Sequence, residues 1–332
     1  MKKIIGYITI FIINYLLLTL VVFAFSLISL KNGKVYDFLW VKYIQKNLYF
    51  KTGLRNVFQH STNDCVKFDK DLIYVPKVGE CKFSNPEFKT ILNFDDQRRL
   101  NLIDDEIKPS EEVIAVIGDS IAMGWGVEND ETFSYNLQKL TGKKVINQGV
   151  SSYGTVREIK RLKKSQYYNQ ISTIIIQYHL NDFGENTQMK IEKTYTQKEF
   201  NDYFNSYEDK SSSLKLLFRF YKKSLRLLFS QLNDTLFPEK NIEEKKFQDD
   251  LIQLQKLITK NFAGENKRII IFTTIEPWER FIYDKNSNIK DFQFFEIKLK
   301  DEHKFIIDDH PNKKGHKFIS QKIYDFMRYQ SL

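Results

Sequence analysis

The chain has 332 residues, 28% charged and 15% aromatic, with a formal net charge of +9 at pH 7. That length supports one large or two small domains with a real core, and the aromatic share excludes a disordered chain. No Cys/His finger spacing and no RNP-type aromatic strand accompanies the basic balance, so nucleic acid is not an expected partner and the excess reads as a solvated basic surface.

Lys2 and Lys3 precede an uncharged run from Ile4 to Leu30 of about 27 residues, against the roughly 20 that a helix needs to cross the hydrocarbon core. The run is too long for a signal-peptide core and no A-x-A-like site follows it, so residues 1–31 are expected to form an uncleaved transmembrane anchor with its flanks. Lys2 and Lys3 favour an inside N-terminus, while Lys31, Lys34, Lys42 and Lys46 weaken that bias.

Residues 32–111 read as a stalk, with Trp40 and several tyrosines at headgroup level, and then a small β-rich segment with short runs such as LIYV and KTILNF. The two cysteines, Cys65 and Cys81, lie in that segment. Beyond an anchor they suit a disulfide in an oxidising compartment; two unpaired thiols are the other reading. The bulk of the chain is accordingly expected outside the cytoplasmic membrane, as a single-pass protein.

From 112 to 332 the pattern alternates. VIAVIG (113–118), KKVINQG (143–149), STIIIQY (172–178) and RIIIFTT (268–274) read as strands buried on both faces. Helix-like stretches separate them: 131–140, the basic amphipathic 155–168, and 312–329 with Phe318, Ile319, Ile323, Phe326 and Met327 on one face. That alternation predicts a parallel sheet with helices on both sides, and ligands beyond the carboxyl ends of its strands.

Those ends carry polar residues: Gly118-Asp119-Ser120, Asn147-Gln148-Gly149 and Asn181-Asp182, with Asp308-Asp309-His310-Pro311 near the C-terminus. A serine hydroxyl needs a base, and a neutral imidazole held by a carboxylate supplies one. The oxyanion of an acyl-transfer intermediate needs donors, which the backbone N–H groups of Ser120 and Gly149 and the Asn181 amide would offer. No metal-ligand spacing appears and this chemistry needs no cofactor, so neither is expected. His316 reads as a packing or capping residue and His179 as a structural residue near the site; His60 and His303 have no partner pattern.

IGDSIAMGWGV, NQGVSSYGT, QYHLNDFGEN and DDHPNKKGH, in this order, resemble the four blocks of the SGNH (GDSL) hydrolase superfamily. The resemblance covers about residue 113 to the C-terminus, apart from an insertion at about 187–266. It implies a flavodoxin-like three-layer α/β/α fold, with Ser120, Gly149, Asn181 and His310 as catalytic residues. Many members place the triad Asp three residues before the His, where this chain has Ile307. Asp308, two before His310, is favoured over Asp309, a variant spacing also found in the superfamily.

Within the insertion, Lys215, Arg219, Lys222, Lys223 and Arg226 share one face of a helix over 213–231, opposite an apolar face. Such a helix packs on the domain with its basic face in water, or lies on the membrane surface. The expected function is hydrolysis of O-acyl, chiefly O-acetyl, groups on an extracytoplasmic carbohydrate or lipid ester. The alternatives are an O-acetyltransferase of a cell-surface polysaccharide, which would need a separate acetyl-donor membrane protein, and a non-catalytic glycan-binding or scaffolding protein on the same fold.

Overall fold

Val113–Gly118, here β5, is buried along its whole length because its alternate side chains enter two different cores. Val113, Ala115 and Ile117 pack with Ile159 and Leu162 of one helix and Leu254, Ile258 and Phe262 of another. Ile114 and Val116 pack on the opposite face with Phe133 and Leu137, and with Ile319 and Ile323. Each such aliphatic side chain contributes about 1.5–3 kcal/mol on leaving water. A strand with no polar face is stable only between two helical layers. The computed structural model describes residues 2–60, 65–101, 106–179, 182–188, 193–205, 217–218, 242–274 and 293–329.

In chain order the elements are α1 (Lys2–Lys31), α2 (Leu39–Lys51), β1 (Val66–Asp69), β2 (Ile73–Pro76), β3 (Gly79–Asn85), β4 (Phe88–Phe94), β5, α3 (Ser120–Met123), α4 (Phe133–Thr141) and β6 (Lys144–Asn147). There follow α5 (Thr155–Lys163), β7 (Ile171–Gln177), α6 (Asp182–Gln188), α7 (Gln197–Asn205), α8 (Ile242–Phe262), β8 (Arg268–Thr273), β9 (Gln293–Glu296) and α9 (Lys313–Tyr329). The main sheet is parallel throughout, in the order β6-β5-β7-β8-β9. The helices α5 and α8 cover one face, α4 and α9 the other. The fold is thus the expected three-layer α/β/α arrangement. Because β6 and β7 lie on opposite sides of β5, the strand order reverses there, and a crevice opens at the carboxyl end of β5.

Two findings differ from the sequence reading. The basic side of α5 is only partly solvated: Lys163 and Lys164 are exposed, but Arg157, Glu158 and Arg161 are buried. Arg157 pairs with Glu185 at 2.6 Å and lies over Tyr153, and Arg161 donates to the Gln97 carbonyl at 2.9 Å. Polar protein partners offset much of the cost of burying these guanidinium groups. The segment after α1 is also no free stalk. It turns at Gly33, and α2 packs back so that Ile44, Leu48 and Tyr49 share a cluster with Phe23 and Leu30 of α1 and with Ile307.

The hairpins β1–β2 and β3–β4 are antiparallel, and Cys65 is disulfide-bonded to Cys81, with their Cα atoms 4.9 Å apart. Isolated bridges from Arg99 to Phe94 and to Asn147 connect the second hairpin to β6. Of the expected helix over 213–231, all but Leu217 and Phe218 lies outside the described residues. The α1 helix is long and apolar enough to span a membrane.

Candidate active site

The turn that carries Ser120 is built on a missing side chain. A Cβ on Gly118 would come within 2.7 Å of Ala122 Cβ and 2.8 Å of Gln177 Cβ, and the residue has φ +149°. Only glycine lets β5 turn here into α3. Gln177 Oε1 accepts from the N–H groups of Asp119 and Ala122, each at 3.2 Å, and Asp119 caps α3 by accepting from Ile121 N at 2.9 Å. Ser120 therefore stands on a fixed first turn, at the strand's exit.

Its hydroxyl lies 2.7 Å from His310 Nε2. The other ring nitrogen, Nδ1, is hydrogen-bonded to Asp308 Oδ1. With two residues of spacing, the same Oδ1 also accepts from His310 N at 3.3 Å. An ionised Asp308 keeps the proton on Nδ1 and leaves Nε2 free to accept from Ser120. Burial by itself would push the Asp308 carboxyl up, but His310, Arg55 and Tyr49 together hold it well below the usual carboxylate range. Asp309 points elsewhere: it is exposed and pairs with Lys46 at 2.7 Å.

Three residues not singled out in the sequence complete this relay. Tyr49 Oη donates to Asp308 Oδ2 at 2.6 Å, and Trp125 Nε1 donates to the same oxygen at 3.0 Å. Arg55 Nε lies 3.8 Å from it, with the guanidinium between Phe50 and Trp125. A fourth, Glu87, sits in the β3–β4 turn and accepts from the N–H groups of Ile306, Ile307 and Asp308 at 2.5, 3.0 and 2.9 Å. It fixes the backbone that carries the carboxylate. Trp125 lay inside a matched block five residues after Ser120, which was a usable signal; Tyr49, Arg55 and Glu87 left none.

Gly149 packs so closely against α3 that a Cβ would meet Met123 N at 2.4 Å. Its own N–H donates to Asn147 Oδ1 at 3.0 Å, so it must release that bond to serve an oxyanion. Asn181 lies outside the described residues. His179 lines the cleft over Ser120 together with Phe50, Arg55, Gln59, Ser151 and Ser152, around a volume of about 360 Å³. His316 accepts from Phe133 N at 3.1 Å and stacks on the Phe133 ring, in the core. His60 stacks on Tyr203, and His303 stacks on Phe318.

Arg99 is also buried, and it grips the turn after Ser120. Its guanidinium donates to the carbonyls of Met123, Gly124 and Val127, each at 2.7 Å, and to Asn129 Oδ1 at 3.0 Å. Burial pushes its pKa down to about 9, and the carbonyl dipoles compensate the charge.

A comparison with curated proteins yields no match. Among solved structures, the chain is similar to a GDSL-like lipase from Bacteroides thetaiotaomicron VPI-5482, at 14% identity over 69% of this chain and 93% of that one, with TM-score 0.33. It is similar to a carbohydrate esterase family 2 enzyme with a carbohydrate-binding domain from Corynascus thermopiles (Myceliophthora fergusii), at 13% identity over 73% of each chain and TM-score 0.35. It is also similar to a two-domain esterase, CEX, active on acetylated mannans, at 11% identity over 66% of this chain and 49% of that one, with TM-score 0.38. The family model of the GDSL-like lipases and acylhydrolases matches residues 114–323, from the strand that delivers Ser120 to the helix that follows His310. That match spans more than half of the chain, and the protein belongs to the GDSL-like lipase/acylhydrolase family.

Proposed function

We propose that the protein is a membrane-anchored serine esterase that removes short O-acyl, chiefly O-acetyl, groups from an extracytoplasmic carbohydrate or lipid ester. One observation carries this reading: the continuous relay from Ser120 Oγ through both ring nitrogens of His310 to Asp308. Ser120 Oγ attacks the ester carbonyl carbon while His310 Nε2 takes its proton. The tetrahedral intermediate collapses, the C–O bond to the alcohol breaks, and His310 returns the proton to the leaving oxygen. Water then attacks the acyl-serine with the same base, and the acid is released. The N–H of Ser120, Gly149 once freed from Asn147, and the Asn181 amide are the proposed oxyanion donors.

Gln59, Ser151, Ser152 and His179 offer hydrogen-bonding groups to a hydroxylated substrate, beside the apolar Phe50, Val57, Ile121 and Trp125 that would take an acyl group. The Cys65–Cys81 disulfide favours a catalytic unit on the oxidising side of the membrane, with α1 as its single span. The test is labelling of the full-length protein by a fluorophosphonate probe, followed by peptide mapping. Label on Ser120, with aryl acetate turnover abolished in Ser120→Ala, is the expected result. An unlabelled Ser120, or a Ser120→Ala protein with normal turnover, overturns the reading.

A further inference from the structure

Tyr49 stands on the last turn of α2, outside the part of the chain that the family model matches. It reaches Asp308 across 259 residues of sequence. Its side chain is almost wholly buried, at 1% exposure, among Ile44 and Leu48 of its own helix, Phe23 and Leu30 of α1, and Ile307. A phenol in such surroundings needs a hydrogen-bond partner, and its hydroxyl donates to the Asp308 carboxylate. Burial and the neighbouring Asp308 charge push its pKa far up, so it stays protonated and remains a donor.

The two oxygens of Asp308 have separate duties. Oδ1 faces His310, while Oδ2 takes Tyr49 and Trp125. A carboxylate gripped by one oxygen cannot swing about its Cβ–Cγ bond, so the other stays aimed at the imidazole. The Tyr49 hydrogen bond is the shorter of the two on Oδ2.

The geometry points to Tyr49 as a positioning residue for the Ser120–His310–Asp308 relay, supplied by the helix that follows the membrane anchor and not by the α/β unit. This inference rests on the esterase reading above. Tyr49 is absent from the lining of the cleft, so it acts through Asp308 and not on substrate.

The experiment uses full-length protein in nanodiscs, with active sites counted by the fluorophosphonate probe so that rates refer to competent molecules. Tyr49→Phe removes one oxygen and keeps the ring. The expected result is a fall in kcat for an aryl acetate of about 10- to 100-fold, the loss of one hydrogen bond to a charged group, with KM within about twofold of wild type. In an Asp308→Asn background the same substitution should cost less than about twofold, since the group to be positioned is already gone. Wild-type kcat in Tyr49→Phe, or a loss that multiplies in full on Asp308→Asn, overturns the inference while leaving the esterase reading intact. A wild-type protein that takes no label on Ser120 overturns both.

Discussion

The indole of Trp125 lies parallel to the imidazole of His310, with ring centroids 4.7 Å apart and planes inclined by 14°, while its Nε1 donates to Asp308 at 3.0 Å. One side chain therefore touches both His310 and Asp308. The stack fixes the imidazole plane, and in the proposed mechanism the indole face would stabilise the imidazolium that forms when Ser120 loses its proton.

Separating these two contributions is straightforward. Trp125→Phe keeps an aromatic face and loses the N–H; its kcat/KM should fall by about 10-fold, the cost of one hydrogen bond to a charged group. Trp125→Ala loses both and should fall by on the order of 10². Both are measured on one aryl ester. A Phe variant equal to wild type would mean that the indole N–H does not hold Asp308.

The neighbouring aspartates should behave very differently. Asp308 is 1% exposed and bonded to His310, whereas Asp309 is exposed and holds a surface pair with Lys46. Asp308→Asn should lower kcat/KM by about 10² to 10⁴, through the wrong tautomer and a loosened ring. Asp309→Asn should stay within about threefold, as exposed pairs contribute little. The reverse ranking in kinetics on the two purified variants would exchange their roles.

Arg99 predicts a stability effect at a distance from the chemistry. Arg99→Met leaves the carbonyls of Met123, Gly124 and Val127 buried without that donor. The expected loss is about 3–5 kcal/mol in denaturant unfolding, with slower probe labelling of Ser120 as the turn loosens. Arg99→Lys should recover only part of it, since an ammonium cannot fork to four acceptors. A Met variant with unchanged unfolding would show the clamp to be dispensable.

His316 sets a pH dependence. Burial, then Arg99 and His310, push its pKa from the ordinary 6.5 down to about 3. Between those values the unfolded chain binds a proton that the folded chain refuses. The stability tied to neutral His316 is therefore complete above pH 6.5 and is lost as pH falls toward 3, by up to roughly 1.4 kcal/mol per unit. Gln at this position keeps an acceptor for Phe133 N and does not titrate. His316→Gln should lose roughly 2 kcal/mol less than wild type between pH 7 and pH 5, read from unfolding midpoints. Parallel losses in the two proteins would remove His316 as the cause.

Much of the sheet was legible because β5, β7 and β8 are continuous apolar runs, and a strand buried on both faces has no polar residues to obscure it. The meeting of the turns at Ser120 and Gly149 was legible for the same reason, since the strand order dictates which loops meet, while Asn181 lies outside the described residues. The burial of Arg157 and Arg161 was not, because an amphipathic pattern assigns every charge to water while the structure solvates these two with Glu185 and a carbonyl. Tyr49, Arg55 and Glu87 were not legible either. Their meaning lies in contacts with a loop more than two hundred residues away, and neither period nor spacing encodes that.

The pairing of Tyr49 with Asp308 also imposes an order in time. Tyr49 leaves the ribosome 259 residues ahead of its partner, and at about 5–20 residues per second that is an interval on the order of 10–50 s. Once Gln177 has followed Ser120 the turn can form, while the Tyr49 hydroxyl and the Glu87 carboxylate wait for a loop not yet made. On the proposed function, a nascent chain thus lacks its base until translation is nearly finished. The proposed base, His310, comes in the same late segment, just ahead of α9.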